Sequence, residues 1–341
     1  MTKPLKKSDA AVSVWNEPSE PTIVSNGVAF PLHLQVAAEH YTEIEVELDP
    51  DTKTFWCFQQ PRGAPSYTPN LLRDLAKMQR SIKSLYAHFS QREDRPIRYF
   101  VVASRPTQIF NLGGDLKLLT GLIRTQNRFG LERYARACID VLYNNAISYG
   151  LPIITVALVQ GDALGGGFES ALSCNVIVAE KSAKFGLPEI LFNLFPGMGA
   201  YSLLARRLDT VRAEKMILSG RIYSAEELHE MGLVDILAED GHGEEAVHDF
   251  LSRQGRRHGA RRAIYQVRQR VLPLSYSELS DVTKIWIDTA LALGEADLRK
   301  MERLVAAQSR RHGNGESGSI EDAIASPPLA FWNRSRLAAA S

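Results

Sequence analysis

The chain has 341 residues, 45% of them hydrophobic, with 40 basic and 39 acidic side chains. That is ample apolar matter for a buried core, and the near balance of charge excludes a global field that would draw the chain to nucleic acid or an anionic membrane. Three scattered cysteines, Cys57, Cys138 and Cys174, form no CxxC pair and fit a reducing compartment; with no apolar segment behind Lys3, Lys6 and Lys7 and no run of 18 apolar residues, a soluble cytoplasmic protein is expected.

Residues 1–31 are polar, rich in Pro, Ser and Glu and without sustained periodicity, so a flexible arm is expected there, followed by a folded core over 32–240. Tyr41 to Leu48 alternates, with Ile44, Val46 and Leu48 on one face. Asp49-Pro50-Asp51 is turn chemistry and Thr54 to Phe58 is strand-like, which together predict a hairpin. Leu71, Leu75, Met78, Ile82, Leu85 and Phe89 recur at three and four and define one buried helical face.

Tyr99 to Ala103 is a short apolar run suited to a buried strand, and helices are expected over Leu116 to Ile123 and Leu131 to Ile147, after the segment FNLGGD. The order then recurs: strand at Ile153 to Val159, glycine loop at Gly161 to Gly167, helix at Phe168 to Ser173, strand at Val176 to Ala179. Such repetition implies a layered α/β core. Residues 241–311 read as helical, with Ile285, Thr289, Leu293, Leu298, Met301 and Leu304 on apolar stripes; residues 312–341 have the composition of a disordered tail, and Phe331-Trp332 within it is given no role.

Three segments concentrate special backbone beside polar groups: FNLGGDL at 110–116, QGDALGGGFESAL at 160–172 and FGLPEILFNLFPGMGA at 185–200. Gly113-Gly114 follows a strand and precedes a helix, so its N–H groups are free, and the missing Cβ lets a ligand oxygen approach. Gly165-Gly166-Gly167 offers the same at the positive end of a helix. Donors from two such loops can converge on one thioester oxygen as an oxyanion hole. A tight turn or close helix packing explains either loop alone; the GxGxxG and Walker patterns that would mark nucleotide binding are absent.

Glu169 stands two residues past the glycine run, and Glu189 follows Pro188 before Ile190, Leu191 and Phe192. Singly, each reads as a solvated or capping glutamate. As a pair in apolar sequence they suggest a general acid and a general base. The eight histidines show no metal spacing, and GxSxG and HExxH are missing. Asp115 and Asp162 are expected to brace the loops, Ser170 to be structural and Lys117 to be solvated.

These segments, with RIYSAEELHEMGLVD at 221–235, resemble the crotonase (enoyl-CoA hydratase/isomerase) superfamily. FNLGGDL, ALGGGFE, GLPEILFNLFPGMGAYS, IWIDTALALGE and AAQSRR are similar, more closely, to the diffusible signal factor synthases of bacterial quorum sensing. The resemblance implies a spiral of ββα units with a C-terminal helical oligomerisation region forming trimers or hexamers. It implies catalytic roles for Glu169 and Glu189, an oxyanion hole from the N–H groups of Gly114 and Gly166, and no metal or redox cofactor.

The implied substrate is a 3-hydroxyacyl thioester on acyl carrier protein, dehydrated to a cis-2-enoyl thioester and hydrolysed to a free fatty acid signal. A membrane sensor kinase is an implied partner. Met198 and Trp286 are candidates for the acyl pocket, each equally explained by core packing. The residues leave open which glutamate is acid and which base, carrier protein against CoA, and two other readings: a plain enoyl-CoA hydratase, and a catalytically inactive interaction protein on the same fold. The arm and tail are longer than such a family has.

Overall fold

The computed structural model describes the backbone of residues 22–25, 28–31, 39–87, 96–106 and 108–314. β1 (Thr22–Ser25) and β2 (Val28–Pro31) pair antiparallel, a local ladder inside the expected arm whose four-residue strands are too short to register as a period. The expected hairpin is present: β3 (Ile44–Asp49) and β4 (Thr54–Gln59) pair antiparallel from Ile44↔Gln59 to Asp49↔Thr54. Asp49 closes it, its Oδ1 accepting from the N–H of Asp51 at 2.9 Å and of Thr52 at 3.3 Å.

α1 (Pro69–Ala87) follows, started by Thr68, whose hydroxyl accepts from the Leu71 N–H at 3.1 Å. Leu71, Leu75, Met78 and Ile82 are all buried as their spacing requires, while Phe89 lies outside the described residues. A strand-strand-helix unit then repeats. β5 (Tyr99–Ser104), β6 (Ile109–Asn111), α2 (Leu116–Arg124) and α3 (Arg128–Ala146) form the first turn; β7 (Ile154–Val159), β8 (Asp162–Leu164) and α4 (Gly166–Ser173) form the second.

The third has β9 (Val176–Glu180), β10 (Lys184–Gly186), a 3-10 turn at Pro188–Phe192, α5 (Ala200–Arg207) and α6 (Thr210–Ser219); β11 (Ile222–Ser224), α7 (Ala225–Glu230) and β12 (Ile236–Ala238) close the spiral. Each unit gives its first strand to a six-stranded sheet, order β12-β9-β7-β5-β4-β3, and its second to a four-stranded sheet, order β11-β10-β8-β6.

Alternate residues of the large sheet enter two different cores. Trp56, Tyr99, Val101, Val156 and Val178 pack under α8 (Gly243–Gln254) with Phe250 and Leu251, whereas Phe55, Cys57, Phe100, Val102 and Ala157 face the interior of the spiral. Because both faces are buried, these strands read in sequence as apolar runs rather than as alternation. Cys57, Cys138 and Cys174 are buried and unpaired. Among the described residues no helix is long and apolar enough to cross a membrane, and no three His, Cys, Asp or Glu side chains group as metal ligands.

The C-terminal region is helical: α9 (His258–Val271), α10 (Tyr276–Leu291) and α11 (Glu295–Asn314). One stripe needs correction. Ile285 is 60% exposed, and α10 instead buries Leu279, Thr283, Trp286, Ile287 and Ala290. The helix turns its indole face inward, which the spacing 285, 289, 293 had placed on the flank. Leu293, Leu298, Met301 and Leu304 are buried as expected.

Candidate active site

The small sheet decides where the three chemistry-bearing segments meet. β6, β8 and β10 are parallel neighbours in it, so the loops leaving their C-terminal ends emerge side by side. Those loops are Gly113-Gly114, Gly165-Gly166 and Leu187-Pro188-Glu189. The Gly165 N–H donates to the Gly186 carbonyl at 2.8 Å, tying the second loop to the third. A Cβ on Gly113 would lie 2.8 Å from the Leu164 carbonyl oxygen and 2.9 Å from the Gly166 nitrogen, so the first two loops touch through bare backbone.

Gly113 has φ +91° and Gly165 φ +50°, conformations in the region glycine tolerates. At Gly165 the requirement is double, since a Cβ there would meet Glu189 Oε1 at 2.4 Å. Gly114 and Gly166 directly follow Gly113 and Gly165 in the chain. No hydrogen bond among the described residues uses either of their N–H groups. Gly166 opens α4, so its amide carries the positive end of that helix. The other end, by contrast, is satisfied: the half-buried Arg207 donates through Nε to the Leu172 carbonyl at 3.2 Å and through its terminal nitrogen to the Cys174 carbonyl.

Glu169 is in the first turn of α4 and only 1% exposed. Its Oε1 accepts from the N–H of Met198 and of Ala200, each at 2.8 Å. Glu189 is in the 3-10 turn begun by Pro188, whose ring fixes φ, and its carbonyl is held by the N–H of Leu194 at 3.1 Å. The Glu189 Oε2 is sealed from solvent and has no hydrogen-bond partner among the described residues.

These surroundings move both carboxyls far from the usual range. Burial pushes Glu169 up to about 7, against the pull of the Ala200 and Met198 amides. Burial and then the charge of Glu169 push Glu189 up to about 8. The difference in donors sets the order: Glu169 is the carboxyl its surroundings help to ionise, and Glu189 is the one that keeps its proton.

Glu169, Glu189, Gly114 and Gly166 all line one cleft. Its remaining walls are apolar and include Leu116, Tyr134, Ala135, Phe192, Trp286 and Leu304. Met198 and Trp286 both line this cleft, the indole against Gly197. Asp115 caps α2, its Oδ1 accepting from the Leu118 N–H at 3.0 Å, and Lys117 is exposed.

Sequence reasoning did not single out Tyr134, Cys138 or Leu304 as cleft residues, nor the Met198 and Ala200 amides as carboxylate donors. Tyr134 carried a signal: a tyrosine on the stripe Leu131, Ala135, Cys138, Leu142 is buried and must find a hydrogen-bond partner. The backbone donors carried none.

The model of the enoyl-CoA hydratase/isomerase family matches residues 78–254. The mitochondrial methylglutaconyl-CoA hydratase of Rattus norvegicus is 32% identical over 190 residues, 55% of this chain and 55% of that protein. The 2,3-dehydroadipyl-CoA hydratase of Escherichia coli (strain K12) is 35% identical over 158 residues, 46% of this chain and 56% of that protein. The chain spans about half the length of these curated relatives.

Among solved structures, an enoyl-CoA hydratase from Bacillus halodurans superposes with TM-score 0.62 at 19% identity, covering 76% of this chain and 98% of that one. DspI of Pseudomonas aeruginosa does so with TM-score 0.53 at 22% identity, covering 80% and 98%. At such identities these likenesses establish the fold alone.

Proposed function

The chain belongs to the enoyl-CoA hydratase/isomerase family, and we propose that it is an acyl-thioester lyase that dehydrates a 3-hydroxyacyl carrier-protein thioester to a cis-2-enoyl thioester and then hydrolyses it to a free fatty acid signal. The observation that carries the lyase reading is the convergence of two unpartnered amides and two carboxyls of raised pKa in one apolar cleft. The finer reading rests on the segments that resemble the signal synthases. Glu169 and Glu189 supply acid and base, Gly114 and Gly166 the oxyanion hole, and Met198 and Trp286 part of the acyl wall.

The proton count of the pair supports two reactions at one site. In dehydration, ionised Glu189 removes the C2 proton, the electrons move onto the thioester oxygen held by Gly114 and Gly166, and the C3–O bond breaks as protonated Glu169 donates to the departing hydroxyl. Water leaves, and the pair is left with Glu189 protonated and Glu169 ionised. In hydrolysis, ionised Glu169 takes a proton from water attacking the carbonyl, the hole holds the tetrahedral oxyanion, and Glu189 protonates the departing thiolate. Each reaction ends in the protonation state the other starts from. Because both carboxyls are raised in the same direction, moving the single proton between the partners is a small cost beside a chemical barrier.

A plain enoyl-CoA hydratase is the second reading, favoured by relatives whose names are CoA hydratases. It needs the same four residues and no water at the carbonyl. An inactive interaction protein is disfavoured, because two buried carboxyls weaken a fold that has no use for them. Assembly as a homotrimer or hexamer is part of the proposal; Ile264, Val267 and Val271 of α9, 65%, 57% and 69% exposed, supply an apolar stripe for it. A membrane sensor kinase partner is taken over from the resemblance, and a cytoplasmic location from the scattered cysteines and the lack of a long apolar run.

The test is mass spectrometry of the products from a 3-hydroxydodecanoyl carrier-protein thioester and its CoA counterpart, with wild type, Glu169→Ala and Glu189→Ala. Free 2-enoic acid from the carrier-protein substrate, absent in both variants, is the expected result. An enoyl thioester without free acid establishes the hydratase reading, and no turnover of either thioester overturns both.

A further inference from the structure

An amide donates to an oxyanion only if its peptide plane is held, and the plane that carries the Gly114 N–H is held on one side by Tyr67. The Tyr67 N–H donates to the Gly113 carbonyl at 2.7 Å. Since the carbonyl of Gly113 and the N–H of Gly114 belong to one trans peptide and point oppositely, this bond turns the Gly114 N–H away from Tyr67 and into the cleft. Tyr67 and Gly114 in fact form an isolated parallel β-bridge, of which this is the first rung.

The second rung of such a bridge would run from the Asp115 N–H to the Tyr67 carbonyl. Here a side chain occupies it. The Tyr134 hydroxyl accepts from the Asp115 N–H at 2.8 Å and donates to the Tyr67 carbonyl at 2.8 Å. The next peptide plane is thereby fixed as well, and Gly114 is left between two pinned planes. Tyr134 is 8% exposed, comes from α3 and lines the same cleft, its hydroxyl 3.5 Å from where a Gly114 Cβ would stand.

A hydroxyl inserted in the rung also spaces the segments. Phenylalanine would leave the Asp115 N–H and the Tyr67 carbonyl either unpaired or drawn together, and either outcome rotates Gly114.

We infer that Tyr134 is the positioning residue of the oxyanion hole: its hydroxyl sets the direction of the Gly114 N–H without touching the reacting atoms. The inference rests on the lyase reading of this cleft, on either substrate, and adds to it a residue on a different helix. Its action belongs to the transition state, because a mis-aimed donor still admits the ground-state thioester.

The experiment is infrared difference spectroscopy of bound 2-dodecenoyl-CoA labelled with ¹³C at the carbonyl, with steady-state kinetics, on wild type, Tyr134→Phe and Tyr276→Phe. The last deletes a hydroxyl that donates to Asp140 Oδ1 at 2.7 Å outside the cleft. Wild type and Tyr276→Phe are expected to lower the carbonyl frequency on binding. In Tyr134→Phe that shift shrinks and kcat falls about 10- to 100-fold at nearly unchanged KM.

A Tyr134→Phe enzyme that melts earlier yet keeps the wild-type carbonyl shift and kcat overturns the inference, leaving the hydroxyl a structural role. Absence of any shift in the wild type overturns the oxyanion-hole reading itself, and is told apart because no substitution enters it. Tyr134→Phe removes one oxygen and leaves its ring in place, and a cooperative melt checks that the comparison is between folded proteins.

Discussion

Glu189→Gln is expected to make the protein more stable at alkaline pH and no more stable in acid. The native carboxyl is raised from 4.5 to about 8, so between those values the unfolded chain releases a proton that the native state keeps. Stability therefore falls as pH rises through that window, and the penalty is complete above about 8 and absent below 4.5. The destabilisation is on the order of 2–4 kcal/mol, discounted for the water that still reaches a half-buried residue. Glutamine keeps the shape and removes the titration. Urea unfolding of both proteins between pH 5 and 9 reads the difference, in which every carboxylate cancels except Glu169, whose titration is coupled to Glu189. A gap that opens with pH to a few kcal/mol is expected, and a gap independent of pH would refute the account of Glu189 as a carboxyl held protonated by burial and by Glu169.

Both proposed reactions need the pair to carry one proton, so kcat against pH should be bell-shaped, with limbs near 7 and 8; a profile flat from pH 6 to 9 contradicts the shared-proton scheme. Arg207→Met withdraws the cation that holds the Leu172 and Cys174 carbonyls at the end of α4, and should lower stability by about 1–3 kcal/mol in urea unfolding. Ala135→Leu fills the cleft wall beside Cys138; kcat/KM for a 12-carbon thioester should drop about tenfold or more while a 4-carbon one is little affected. Equal losses on both chain lengths would place the acyl chain elsewhere.

The fold was legible wherever a buried face left a period. The stripe Leu71, Leu75, Met78, Ile82 is the buried side of α1, and the turn chemistry at Asp49 closes the first hairpin as read. What was not legible is the assignment of alternate strands to two sheets. Strands as short as β6, β8 and β10, of three residues each, carry no period, and only tertiary pairing reveals them. Ile285 misled for a related reason: residues of like hydrophobicity on adjacent stripes of α10 compete, and packing against Gly197 chose Trp286. In the cleft, the glycines and glutamates announced themselves by type, but the amides that ionise Glu169 belong to Met198 and Ala200, and a backbone group has no residue type to read.

That asymmetry of donors is what gives two like side chains different roles. Glu169 and the Oε2 of Glu189 are cut off from water, and a carboxyl so placed stays neutral unless hydrogen bonds replace its solvation. The chain supplies two amides to Glu169 by bending the segment from Phe195 to Ala200 around its Oε1, through Gly199 at φ +121°. None of the described residues supplies one to Glu189 Oε2. Redirecting one amide should therefore narrow the distinction: Gly199→Ala, which strains that bend, is expected to raise the Glu169 limb of the pH profile toward that of Glu189. Carbonyl-region infrared titration of the apoprotein follows the two carboxyls directly. If the lower limb stays in place in a folded Gly199→Ala protein, the bend is not what separates acid from base, and burial depth alone must account for their order.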